Sequence, residues 1–184
     1  MEWEVPDDAN DADTPLRWAQ SIIDQYSDRP TMITTHSYVW DGDPPGRTTF
    51  VEKANDDGSS GEEIWQEIIE PNPQVFMVLN GNFHEGSGSD DGEHHQVSMN
   101  DADLSVYEML ANYQNYSNGG NGLLRLIRFI SGGGSDDQDR IEVKTYSPSL
   151  DEYRNDDSSE FSFDLNFADR FATPSGSTER SGEM

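Results

Sequence analysis

The first half of the chain alternates two helix patterns with two short strand patterns, and this alternation limits the folds that the chain can adopt. The helix patterns cover residues 15–26 and 62–70, and the strand patterns, TMITTH and QVFMVLN, cover residues 31–36 and 74–80. The first helix pattern opens on Thr14-Pro15, and its apolar residues recur at helical spacing. Strands that are joined through helices pair in parallel and are covered by those helices. We therefore expect two βα-type units whose strands lie in one parallel sheet.

A histidine follows each of these strands. His36 ends the first strand pattern, and His84 lies in the segment LNGNFHEG, which begins at the end of the second. In parallel sheets covered by helices, functional loops lie beyond the carboxyl ends of the strands. The same segment also has the Asn and Gly residues of an ordinary polar turn. The residues alone therefore leave two interpretations of both histidines, as functional side chains at strand ends or as turn residues.

The second half of the chain has the pattern of an antiparallel β-meander. Five segments are typical of strands: HHQVSMN, VYEMLANYQNY, LLRLIRFI, RIEVKTYS and EFSFDLNF. Two of the joins, SNGGNG and SGGGSDDQD, have the composition of hairpin turns. Residues 105–113 also fit a helix, because their apolar residues recur at helical spacing. The expected organisation is one α+β or α/β domain over residues 1–170, followed by a polar, disordered tail over residues 171–184.

Several motifs resemble, in order and spacing, the C-terminal half of calcineurin-like metallophosphoesterases. These motifs are RPTMITTH, NGNFHEG, NYQNYSNGGNGLLRLIRF and IEVKTYSP, and the similarity extends over residues 14–167. The resemblance implies a metallophosphoesterase β-sandwich, here partial, that hydrolyses phosphate esters with divalent metal ions (Mn, Zn or Fe). By resemblance, His36 and His84 are metal ligands, and Asn82 stands as a weak ligand where the family has a further histidine. The resemblance also places three residues at the edge of the site: Tyr113, Gln114 and Asn121.

The motifs that would complete such a metal site are absent from this sequence. The family's Asp-x-His, Gly-Asp and Gly-Asn-His motifs precede the matched region, and the chain has no counterpart to them. Two metals that hydrolyse a phosphoester lie about 3.5–4 Å apart, and holding them so close requires a bridging carboxylate. We therefore expect the C-terminal portion of a metal-dependent phosphoesterase, inactive as an isolated chain, whose substrate and metals are bound in the intact parent. The alternative is a non-catalytic, degenerate phosphoesterase-fold module that serves in binding or as a scaffold.

The chain is strongly acidic, with 37 Asp and Glu residues against 11 Lys and Arg residues and a formal net charge of -26. One explanation is disorder, but the clear apolar strands argue against it. A second is an acidic tail that binds a partner, but the carboxylates are distributed along the sequence rather than gathered at one end. Concentrated salt offers a third explanation, because at about 1 M salt the Debye length falls to ~3 Å and carboxylate repulsion is screened. We favour this explanation, which makes the chain the product of a halophilic organism.

Composition also restricts the partners. The acidity argues against nucleic-acid binding, which needs a basic surface, and no apolar run reaches the ~20 residues of a membrane span. The chain has no cysteine, which excludes thiolate metal sites. Its first residues lack the basic and apolar regions of a signal peptide, although members of the resembling family are often exported, so the compartment is left open. Because a partial sandwich exposes a sheet edge, we expect homo-oligomers formed by edge pairing.

The salt dependence of stability tests this explanation of the acidity. The melting temperature should rise by several degrees between dilute buffer and about 1 M KCl, because screening reduces the repulsion between carboxylates of the folded chain. Differential scanning calorimetry at constant pH measures the change. A melting temperature that is the same at both salt concentrations would contradict adaptation to salt.

Overall fold

The computed structural model describes residues 14–51, 58–84, 92–132 and 138–171. Its helices are α1 (Pro15–Gln25), α2 (Gly61–Ile64), α3 (Ser117–Gly120) and α4 (Phe167–Arg170), and α2 continues directly into a π-helical turn, Trp65–Ile69. Its strands are β1 (Thr31–Thr35), β2 (Val39–Trp40), β3 (Gly46–Arg47), β4 (Val75–Asn80), β5 (Glu93–Met99), β6 (Ser105–Ala111), β7 (Leu124–Ile130), β8 (Arg140–Ser147), β9 (Glu152–Arg154) and β10 (Glu160–Asp164). Among the helices of these ranges, none has the length and hydropathy of a membrane span.

Both predicted helices of the first half are present, and local sequence signals explain where they begin. Thr14 caps α1 by accepting a hydrogen bond from the Arg17 backbone N–H, and Pro15 occupies the first turn. Ser60 and Glu63 form a capping box at the start of α2. The buried residues of α1 are Leu16, Ala19 and Ile23. Their spacing is the helical period seen in the sequence, so that period marks the face of α1 that packs against the core.

The first sheet has four strands in the order β1-β4-β6-β5. β1 and β4 pair in parallel, as the alternation of helices and strands predicts, and Thr35 and Asn80 form their last pair. The ambiguous segment 105–113 contains the strand β6 rather than a helix. β6 pairs in parallel with β4 and antiparallel with β5, so the expectation of a purely antiparallel second half is wrong for this strand. All five central residues of β6 are buried, which is typical of a strand inside a parallel sheet.

The second sheet is antiparallel, in the order β10-β8-β7, and β9 also pairs with β8. Residues of β8 are alternately buried and partly exposed, so one face of this sheet points into the protein. SGGGSDDQD joins the antiparallel pair β7 and β8 as predicted, although residues 133–137 lie outside the described residues. SNGGNG is not a hairpin, because it carries the chain from β6 in the first sheet to β7 in the second. The crossover passes through α3, in which Asn118 and Gly119 have left-handed backbone conformations.

The two sheets pack face to face, and the helices cover the other face of the first sheet. The core between the sheets consists of Phe76, Met77, Tyr107 and Met109 from the first sheet and Ile141, Val143 and Phe163 from the second. A separate core joins α1, α2 and the π-helical turn to β1, β4 and β6. The fold is therefore a mixed α+β architecture with a β-rich C-terminal part. Residues 172–184, nearly all of the predicted tail, lie outside the described residues.

A buried ion pair connects the two sheets. Glu93 of β5 pairs with Arg125 of β7, and their side chains are 0% and 7% exposed. The Glu93 carboxylate also accepts hydrogen bonds from the hydroxyl groups of Tyr113, Tyr116 and Ser159. A buried carboxylate is costly unless its partners satisfy it, and here five donor and acceptor groups converge at the junction of the sheets. This network orders the end of β5 against the second sheet.

Removing the Glu93 carboxylate should destabilise the fold strongly. Glu93→Ala leaves Arg125 buried without its charged partner, and we expect a loss of about 3–5 kcal/mol in the free energy of unfolding. The matched control is Glu160→Ala, which removes the same charge from the exposed pair of Glu160 and Lys144 (2.9 Å) and should cost below about 1 kcal/mol. Urea denaturation at about 0.1 M KCl compares the two variants. Equal, small losses would show that the network does not join the sheets.

Candidate functional site

Both strand-tip histidines follow strands that end at one edge of the first sheet. Thr35 and Asn80 are the last paired residues of β1 and β4. His36 follows Thr35 directly, His84 lies four residues beyond Asn80, and both histidines are partly buried. The parallel pairing therefore starts both histidine-bearing loops at the same sheet edge. We use the name carboxyl edge for the loops that follow β1, β4 and β6, which are residues 36–38, 81–84 and 112–116.

Asparagine side chains tie the first two of these loops together. The buried Asn80 amide donates to the Val39 carbonyl (2.8 Å) and accepts from the Val39 N–H (3.2 Å). The Asn82 amide donates to the Ser37 hydroxyl (3.2 Å). Ser37 belongs to the loop after β1, whereas Asn82 belongs to the loop after β4. These bonds therefore hold the two histidine-bearing loops side by side.

The loop after β6 belongs to the same network. The buried Asn112 amide donates to the Asn82 carbonyl (2.7 Å), and its oxygen accepts from the Gln114 N–H (3.1 Å). Further along, the amide nitrogen of Asn115 lies 2.9 Å from Nδ1 of the His84 ring. Side-chain amides thus join all three loops of the carboxyl edge. The same nitrogen of Asn115 also lies 3.2 Å from Nε2 of the His84 ring.

Asn82 has the backbone conformation of a turn residue. Its φ of 67° lies in the left-handed region, which asparagine tolerates better than most side chains. Its amide group is engaged with Ser37 across the carboxyl edge. Both observations favour the turn interpretation at this position, and the assignment of Asn82 as a weak metal ligand stays a prediction.

The three residues that were expected at the edge of the site have different environments. The Tyr113 hydroxyl donates to Glu93 (3.1 Å) at the junction of the sheets, where burial raises the pKa of the phenol. Gln114 is exposed at the carboxyl edge. Asn121 has a left-handed conformation at the end of α3, and its carbonyl accepts a hydrogen bond from the Ser147 hydroxyl (2.6 Å). The contacts of Tyr113 and Asn121 therefore support the fold, and only Gln114 presents an exposed side chain.

The donor atoms at the carboxyl edge do not make up a two-metal centre. The edge offers two imidazoles, of His36 and His84, and the amide of Asn82. In the part of the chain that the structure describes, no group of three or more His, Cys, Asp or Glu side chains is close enough to hold a metal ion. Two closely spaced dications need a bridging carboxylate and several further ligands. The residues present therefore do not fit a dinuclear centre by themselves.

The remaining pair of histidines lies in β5. The His95 ring stacks on Phe161 of the second sheet, with ring centroids 3.8 Å apart. Burial lowers the pKa of His95, and the neighbouring His94 and Arg125 lower it further. The His95 ring therefore packs between the sheets in surroundings that disfavour its charged form. His94 contacts Gln96 (3.4 Å) on its own strand.

A second buried carboxylate, that of Glu108, was not predicted from the sequence. Its side chain is 0% exposed and pairs with Arg47 of β3 (3.1 Å), whose guanidinium lies 4.2 Å from the centroid of the Trp65 ring. Burial and the Glu108 carboxylate raise the pKa of Tyr38 well above its ordinary value. The cluster fixes the β2–β3 hairpin on the first sheet. The sequence signals this cluster only through Glu108 itself, which is a single acid inside the apolar segment VYEMLA.

Comparisons with known proteins relate this chain to part of a larger protein. No family model matches the sequence, and no solved structure matches it significantly. The sequence is similar to the uncharacterized protein YvnB of Bacillus subtilis (strain 168), with 30% identity over 173 residues that cover 90% of this chain. The chain spans 12% of the length of that protein. The similarity therefore concerns a small part of YvnB.

Proposed function

We propose that this chain is the C-terminal portion of a metal-dependent, calcineurin-like phosphoesterase adapted to high salt, and that it is inactive as an isolated chain. One observation carries the proposal. Two parallel, adjacent strands each lead into a histidine-bearing loop, and the hydrogen bond between Asn82 and Ser37 joins those loops. Neighbouring loops at the carboxyl ends of parallel strands are where such folds place their ligands.

In this proposal the chain supplies only part of a metal site. His36 and His84 provide imidazole nitrogens, which suit Mn, Zn or Fe. Asn80 and Asn112 hold the backbone of the histidine-bearing loops, and Asn115 contacts the His84 ring. The bridging carboxylate and the other ligands come from elsewhere in a larger protein, which also binds the phosphoester. The match to 12% of a longer relative supports this division.

The alternative is a degenerate phosphoesterase-fold module that binds or organises a partner without catalysis. The conformation and contacts of Asn82 favour this alternative, because Asn82 occupies the position at which the metallophosphoesterases that this sequence resembles have a histidine ligand. In this chain its backbone is left-handed and its amide is used to join two loops. A chain that retained the scaffold but lost a ligand in this way would keep its fold without the chemistry.

Two measurements on the purified chain separate these functions. Hydrolysis of p-nitrophenyl phosphate with Mn²⁺ should not exceed the rate without protein, because the described residues of the carboxyl edge supply no bridging carboxylate. Mn²⁺ should nevertheless broaden the ring proton signals of both His36 and His84 in NMR spectra at about 1 M KCl, where weak attraction to exposed carboxylates is screened. His84→Ala should abolish the broadening at His36. Glu152→Ala, which removes an exposed carboxylate on β9, should leave it unchanged.

Two outcomes would contradict parts of the proposal. Turnover that is lost in His84→Ala would contradict the proposed inactivity. Ring signals that Mn²⁺ leaves unchanged at both histidines would contradict their assignment as ligands and would favour the non-catalytic module.

A further inference from the structure

The outer face of the second sheet presents four rows of side chains, each row set by the strand register. We use the name outer face for these residues. The rows are Leu124, Tyr146 and Tyr153; Leu126, Lys144 and Glu160; Arg128, Glu142 and Ser162; and Ile130, Arg140 and Asp164. The alternate residues of β8 are buried towards the first sheet, so these twelve residues point away from it.

This face exposes apolar side chains at the surface of a strongly acidic protein. Leu124 and Leu126 are each 38% exposed, and Tyr153 is 55% exposed. Leu126 and Tyr153 also line a shallow depression of about 360 Å³ on this face. Contiguous apolar surface with a polar rim is typical of an interaction surface.

The charges of the outer face balance, in contrast to the chain as a whole. Its cations are Arg128, Arg140 and Lys144, and its carboxylates are Glu142, Glu160 and Asp164, so its formal charge is zero in a chain of net charge -26. Ion pairs join neighbouring strands here, between Lys144 and Glu160 (2.9 Å) and between Arg128 and Glu142 (3.3 Å). Another acidic protein would meet little local repulsion on this face.

We propose that the outer face joins two copies of this chain in a homodimer. Sheets pack face to face about 10 Å apart with their strand directions nearly aligned. We place a two-fold axis between the two packed sheets, perpendicular to the strands and midway between the second and third rows. It puts the first row of one copy opposite the fourth row of the other, and the second row opposite the third. Lys144 then faces Glu142 of the second copy, and Tyr146 faces Arg140 of the second copy. Leu124 faces Ile130 of the second copy, which buries apolar surface on both.

Charge selects this orientation over the other face-to-face arrangement. A two-fold axis along β8 would place Lys144 on Lys144 and Glu142 on Glu142 of the second copy, and like charges in contact disfavour association. The crossing axis places no charged residue of the outer face opposite a like charge. The face therefore complements itself in one orientation, as a two-fold interface requires.

Salt should control the dimer. Each copy carries a net charge of -26, so the two copies repel each other in dilute buffer, whereas the Debye length of ~3 Å at about 1 M salt removes this long-range term. Burial of apolar side chains does not depend on that screening. We therefore expect dimers in molar KCl and monomers in dilute buffer.

Sedimentation equilibrium on the full chain at about 0.1 M and about 1 M KCl tests the proposal. The mass at high salt should approach twice the chain mass of 20.7 kDa.

Leu126 faces Arg128 of the second copy, so Leu126→Lys should raise the dissociation constant about 10-fold or more, equivalent to about 1.4 kcal/mol. Leu126→Glu, which can pair with that arginine, should have a smaller effect. Bulk charge alone would give the opposite order, because an added lysine makes the net charge of -26 less negative and an added glutamate makes it more negative.

Val97→Lys provides the matched control. Val97 is an exposed apolar residue of β5 in the first sheet, and its substitution should leave the dimer intact. A monomer at high salt, or a dimer that Leu126→Lys does not weaken, would overturn the proposal; the second result would favour edge pairing. If Leu126→Glu weakens the dimer more than Leu126→Lys does, the crossing orientation is wrong. Circular dichroism of each variant confirms that it is folded.

Discussion

The parallel pairing of β1 with β4 is the constraint on which the candidate site depends. It makes both strands end at one edge, so that the loops carrying His36 and His84 start beside each other. Local bonds then fix the loops more closely, through Asn80 to Val39 and through Asn82 to Ser37. Backbone pairing sets the position of each loop, and side-chain amides set the spacing between them. Loss of the parallel register would separate the residues on which the functional proposal rests.

The local elements could be predicted from the sequence because their signals are local. A capping residue, a proline and apolar spacing define α1, and short apolar runs between turn residues define β1 and β4. The alternation of these elements also gave the parallel pairing. The strand-tip histidines could be located for the same reason, since their positions follow from where the strands end.

Long-range partners could not be predicted in this way. The segment that forms β6 satisfies both helical and strand spacing, and its strand state depends on burial between β4 and β5, which no local pattern records. SNGGNG has the composition of a hairpin but links two sheets, because its neighbours β6 and β7 have different pairing partners. The partner of Glu108 is Arg47 of β3, 61 positions earlier along the chain, in a segment whose sequence has no recognisable strand pattern. The polar clusters that join the layers were therefore found only in the structure.

The central claim is that the loops after β1 and β4 lie side by side, and a disulfide measures this most directly. The chain has no cysteine, so Ser37→Cys combined with Asn82→Cys introduces the only two thiols. Disulfides form where Cα atoms are about 4.4–6.8 Å apart, and the native side chains are in hydrogen-bond contact. We predict that mild oxidation removes both thiols within one molecule, whereas Ser37→Cys combined with Asn155→Cys stays reduced. Two free thiols in the folded Ser37 and Asn82 double variant after oxidation would contradict the account.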